Sequence, residues 1–65
     1  STTGQSGMIG RVGVARSPLA PAGDVFIQGE LWRAVAENGA VAEGEAVKVT
    51  AVEGLTLKVT KATGP

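Results

Sequence analysis

Three serines, Ser1, Ser6 and Ser17, and three lysines, Lys48, Lys58 and Lys61, are the residues from which a nucleophile and its base could be assembled, because the 65-residue chain has no histidine and no cysteine. Nucleophilic catalysis needs an activated nucleophile with a base within reach. The serines fall in a polar lead and a proline-rich loop, and the lysines on the wet face of the last predicted hairpin or just beyond it, so no such pair forms. Glu43 and Glu45 fall in a turn and read as solvated loop charges, since a general acid would want an apolar pocket and none is suggested. Zinc ligands of the usual kind are missing altogether. A lipoyl- or biotin-type carrier needs a lysine at a hairpin tip, whereas the tips here are Gln28-Gly29-Glu30 and Val52-Glu53-Gly54. Gly23, Gly29, Gly39, Gly44 and Gly54 precede no helix that could hold a phosphate, and they read as turn glycines. No catalytic, metal or cofactor-binding residue is assigned, and no small-molecule substrate is expected.

Binding is the other kind of chemistry open to a small chain. Six basic and six acidic residues cancel, and neither sign runs in a block, so the electrostatic footprint of a nucleic-acid or anionic-membrane binder is missing. A single-stranded nucleic-acid-binding module is nevertheless the alternative to weigh, because small β-barrels bind single strands on stacked aromatics. Only Phe26 and Trp32 are available for stacking. Trp32 is expected at the core or its edge.

The elements that position these residues are read most directly from Ala46 to Thr60. Val47, Val49 and Ala51 alternate with Lys48 and Thr50, and Leu55, Leu57 and Val59 alternate with Thr56, Lys58 and Thr60, the period of strands with one dry face. A three-residue turn of Val52, Glu53 and Gly54 pairs Val49 with Leu57 and Val47 with Val59, placing Gly54 at a left-handed position and Lys48 opposite Lys58. Upstream, Gly10 to Ala15 reads as a first strand with Val12 and Val14 inward, its glycines marking bends or close backbone approach. Ser17 to Gly23 is a proline-broken loop from which Leu19 can tuck over an open end of the core. Asp24 to Gln28 and Leu31 to Ala36 form a hairpin about Gly29-Glu30, and Val41 is expected as a plug in the connector that follows.

Ten glycines with repeated Val, Thr and Ala point to short strands and tight turns. The expected fold is all-β: a five-stranded Greek-key barrel of the OB type, with an SH3-like barrel and a barrel-sandwich as alternatives. Residues 1–7 read as linker, 8–61 as the domain and 62–65 as a flexible tail. Nothing in the chain reads as a transmembrane segment or signal peptide, and the chain reads as soluble.

Strand parity then isolates one surface. If Val25, Ile27, Trp32 and Ala34 face inward, Phe26, Leu31 and Val35 are left on the outer face of the second and third strands, apolar without being core. These three are the candidate interaction surface.

The order of the punctuating residues is also informative. Gly10-x-x-Gly13-x-Ala15, Leu19-x-Pro21-x-Gly23-x-Val25-x-Ile27-x-Gly29-Glu30-x-Trp32-x-Ala34, Gly39-x-Val41-x-x-Gly44-x-x-Val47-x-Val49 and Val52-Glu53-Gly54-x-x-Leu57-x-Val59 together resemble the C-terminal soluble domain of the NfeD family, from about Met8 to Val59. The resemblance implies an OB-fold barrel following transmembrane helices, and in long members a serine protease domain that uses a serine and a lysine. It implies a non-catalytic interaction or assembly module whose partners are stomatin- or flotillin-like membrane proteins or its own membrane domain. The implied location is at a membrane through segments absent from this chain, with the domain on the cytoplasmic side, although no residue here marks the side. Ala20 and Ala22 depart from the polar residues common at those positions, leaving that loop less able to hydrogen-bond a ligand.

Overall fold

A computed structural model describes residues 6–62 of the protein. A short 3-10 turn, Ser6–Met8, leads into five strands: β1 Val12–Ala15, β2 Ala22–Ile27, β3 Glu30–Ala36, β4 Ala46–Glu53 and β5 Thr56–Lys61. They close into a barrel in the order β1-β2-β3-β5-β4, with β4 returning to β1. All neighbours are antiparallel except β3 and β5, which run parallel, so a crossover must separate them in sequence and β4 with its connector supplies it. The expected linker and tail lie largely outside the described residues. Within them, the Gly7 carbonyl accepts a hydrogen bond from Arg11 Nε, and the Ala62 amide donates to the Ala46 carbonyl.

Closing a sheet of five short strands brings β1 hard against β2, and this overturns the expected parity of the first strand. Val12 and Val14 are 58% and 42% exposed, while Gly13 and Ala15 point inward and are buried. A Cβ at Gly13 would lie 2.3 Å from Ile27 Cγ1 and 2.4 Å from the Phe26 carbonyl oxygen, so the inward position admits only glycine. The spacing of the valines is what a strand with a dry face requires, but the space inside the barrel is already taken by Ile27. Gly23 is likewise not a turn residue: it lies within β2, packed against Leu19 and Ser17.

Both hairpins turn one residue away from where the sequence pattern places them. Between β2 and β3 the turn residues are Gln28 and Gly29, both at positive φ, and Glu30 already pairs with Ile27. Positive φ at both central positions is the type I′ geometry, whose twist matches the flanking strands. Between β4 and β5 the turn is Gly54-Leu55, with Gly54 alone at positive φ, as in a type II′ turn. Leu55, expected inward, is therefore at the tip and 83% exposed.

The expected pairing of Val49 with Leu57 and Val47 with Val59 does not form, since Leu57 pairs with Val52 and Val47 with Lys61, but a bulge preserves the inward faces. Val49 pairs with Val59 and Ala51 with Lys58, leaving Thr50 as an extra residue on β4, so Val47 and Val49 still face inward with Leu57 and Val59. Thr50 is suited to the site because its hydroxyl donates to Glu37 Oε1 at 2.6 Å and stands 3.1 Å from the Lys58 carbonyl, an alternative acceptor. Lys48 consequently faces Thr60, and the expected Lys48–Lys58 repulsion does not arise.

The core comprises Ala15, Leu19, Val25, Ile27, Ala34, Ala36, Val41, Val47, Val49, Leu57 and Val59, with Met8, Trp32 and Val52 packed at its margin. Leu19 and Val41 seal one end as expected: their backbones exchange two hydrogen bonds of 2.8 and 3.0 Å, and both side chains are buried. No polar or charged residue among those described is buried, so cohesion rests on aliphatic packing and the closed ladder.

Candidate interaction surface

The pairing registers fix which outward side chains stand beside one another. Ala46 of β4 is opposite Val14 of β1, Val14 is opposite Phe26 of β2, and Phe26 is opposite Leu31 of β3. These four form one apolar row running across four strands on the outside of the barrel. Phe26 is 37% exposed and Leu31 63%. Val12 flanks the row on β1, opposite Lys48.

Phe26 and Leu31 thus occupy the face expected for them and touch the same row. Val35 shares their face, but its position is half-buried and lies between Ala22 and Lys58, two rungs along β3 from Leu31. Between them stands the exposed pair Asp24 and Arg33, 3.9 Å apart. Sequence parity missed Val12 and Val14 because it assigned them to the core. The signal that could have found them is the alternation of small residues at Gly13 and Ala15, which fit where two strands are too close for larger side chains.

The polar groups around the row are mostly cationic. The Arg16 guanidinium lies over the Phe26 ring at 5.1 Å from its centroid, a cation–π contact. Lys48 and Arg33 stand beside the row on the same face, and the Asp24 carboxylate faces Arg33. The other described ion pairs are Lys58–Glu53, between β5 and β4, and Lys61–Glu45, between β5 and the residue that precedes β4. Glu45 Oε1 is shielded from solvent and faces Lys61 Nζ at 3.4 Å, which neutralises it.

Among the described residues no pocket opens, no group of three acidic, histidine or cysteine side chains could hold a metal, and no helix is long and apolar enough to cross a membrane. What the described surface offers is a shallow contact face.

Comparison with known proteins gives this face a context. The chain is 42% identical over 60 residues to the membrane-bound protease PH1510 of Pyrococcus horikoshii, a match that takes in 91% of this chain and 14% of that protein. It thus spans about one seventh of that relative's length. Among solved structures, it resembles the C-terminal domain of the stomatin operon partner protein 1510-C from Pyrococcus horikoshii, with a TM-score of 0.89 and 39% identity over 97% of this chain and all of the other. It also resembles the soluble domain of a membrane protein implicated in regulation of membrane protease activity from Corynebacterium glutamicum, with a TM-score of 0.81 and 27% identity over 88% and 95% of the two chains. The barrel is accordingly an OB-fold. Residues 5–61 match the family model of the NfeD-like C-terminal, partner-binding domain, and the chain belongs to that family.

Proposed function

We propose that this barrel is a non-catalytic docking module of a membrane-anchored NfeD-like protein, and that it binds a stomatin- or flotillin-like membrane protein through the face centred on Phe26 and Leu31. The observation that carries the proposal is the continuous row Ala46, Val14, Phe26 and Leu31, four apolar side chains in register across four strands, whereas the exposed Ile9 and Leu55 stand apart from it. Large exposed aliphatic and aromatic side chains in register, rimmed by charge, are the usual anatomy of a protein contact. The description of the family as partner-binding and the stomatin operon context of the 39% identical structure support the same reading. Val35, one step beyond the Asp24–Arg33 pair, lies at the margin of the face.

Phe26→Ser tests it, with thermal stability and pull-down of a stomatin-like protein from membranes measured side by side. Phe26 faces outward, so the variant should keep nearly its full melting temperature while losing partner recovery. A folded variant that recovers partner as well as the original would refute the docking role. A nucleic-acid-binding reading predicts a different result: salt-sensitive binding of labelled single strands that Phe26→Ser abolishes.

A further inference from the structure

Resting on that reading, we infer that the segment captured by this face is an amphipathic helix whose apolar side is flanked by acidic residues, lying across the strands along the Ala46-Val14-Phe26-Leu31 row. Strand addition is the commonest way for a β-domain to take up a peptide, but it needs an exposed sheet edge. Here the barrel is closed, with β1 paired to both β2 and β4 and β5 paired to both β3 and β4. Recognition therefore falls to side chains.

The spacing of those side chains favours a helix. Neighbouring members of the row are one inter-strand distance apart, about 4.8 Å, so the four span about 14 Å. Helix residues three and four apart are separated by about 4.5 and 6 Å along the axis, so apolar residues at i, i+3 or i+4, i+7 and i+10 or i+11 keep step with the four members of the row over roughly three turns. On the convex barrel the middle members, Val14 and Phe26, would carry the centre of the contact.

Charge decides the flanks of the partner. By register the same-face neighbours of the row are Lys48 on one side and Arg16, Asp24 and Arg33 on the other, with Asp24 already facing Arg33. Arg16 and Lys48 have no carboxylate partner among the described ion pairs. A helix with glutamate or aspartate beside its apolar stripe would pair with them, whereas a basic helix would be repelled.

The test uses the 65-residue chain and two designed helical peptides of about twelve residues, each with leucines spaced i, i+3, i+7 and i+10 and flanked by glutamate in one and lysine in the other. Binding is followed by amide chemical shifts. The glutamate peptide should shift Val14, Phe26 and Leu31 together and bind at least about tenfold more tightly than the lysine peptide. The double variant Arg16→Glu with Lys48→Glu, confirmed folded by its melting temperature, should reverse that preference. Equal binding of both peptides, shifts confined to another face, no shift at millimolar peptide, or binding of the chain to phosphatidylglycerol vesicles in place of either peptide would overturn the inference. Failure here is separable from failure of the docking role: partner recovery lost in Phe26→Ser but kept in the charge-reversed variant leaves the docking role standing and removes the acidic helix.

Discussion

Replacing Gly13 with alanine adds a single methyl group to β1, and the structure says what that methyl would meet. Its two nearest neighbours would be Ile27 Cγ1 at 2.3 Å and the Phe26 carbonyl oxygen at 2.4 Å, with the Phe26 carbonyl carbon at 3.2 Å. A side chain such as Ile27 can rotate, although this one is buried among core residues and 1% exposed. The Phe26 carbonyl cannot, because it belongs to a strand paired on both sides. Relief requires β1 to move away from β2, opening the seam that closes the barrel. Overpacking costs typically run about 1–3 kcal/mol, and a clash with backbone belongs at or above the upper end of that range. A domain of this length is stable by roughly 3–10 kcal/mol in all, so Gly13→Ala should lower the denaturation midpoint by a large fraction. The assay is urea unfolding followed by Trp32 fluorescence, with Gly7→Ala as control because nothing lies within 4 Å of its added methyl. Val14→Ser on the same strand is the reciprocal test, expected within about 0.5 kcal/mol of the original because that side chain is outside. A stable Gly13→Ala together with a crippled Val14→Ser would show that β1 is turned the other way and that the apolar row does not exist.

Three further outcomes follow from the packing. Leu57→Ala removes a fully buried side chain from β5 and should cost about 2–5 kcal/mol in equilibrium unfolding, with an unchanged midpoint refuting its place in the core. Gly54→Val forces a β-branched residue to φ +61°, so it should destabilise by about 1 kcal/mol or more, whereas Leu55→Ser beside it should be neutral in the same melt. Thr50→Val deletes the hydroxyl that meets Lys58 and Glu37 at the bulge and should cost about 0.5–1.5 kcal/mol; hydrogen exchange at the β4–β5 ladder would show whether the loosening is local to the bulge.

The barrel was legible from alternation and punctuation: the five strands, the inward faces of β2 and β3, the inward Val47, Val49, Leu57 and Val59, and the plugging roles of Leu19 and Val41 follow from side-chain type and spacing, whereas Ala51, expected on the dry face, stands opposite Lys58 beyond the bulge and Val52 packs against the core in its place. What was not legible depends on contacts between elements far apart in sequence. A two-residue turn plus a bulge at Thr50 gives Val47, Val49, Leu57 and Val59 the same inward faces as a three-residue turn without one, so local pattern could not separate them and Leu55 was misplaced. The orientation of β1 was lost for the same reason. Nothing within Arg11 to Ala15 states how near Phe26 and Ile27 will come, and alternation alone sends the larger residues inward. Half of the candidate face went with it: Phe26 and Leu31 could be read from their own hairpin, but Val14 could not join them until the closing strand was in place.

The inversion of β1 links the stability of the barrel to its surface. In a small barrel the interior cannot accept a large side chain from every strand, and here Ile27 fills the space that a larger inward side chain on β1 would take. Glycine and alanine on the inward side of β1 let the strand close the ring, and the two valines are left on the outside by the strict period of the strand. One of them then completes the row begun by Phe26 and Leu31. The apolar band is thus held in place by the same close approach that shuts the barrel, and no loop has to order before it is presented. A substitution that loosens the seam, such as Gly13→Ala, should therefore disturb partner capture even where the domain still folds, while Phe26→Ser should remove capture and leave the seam intact. Amide shifts of Val12 and Val14 separate the two, since only the first variant should move them relative to β4. Equal displacement of these amides in both variants would mean that the Phe26 ring, and not the Gly13 contact, sets the position of β1.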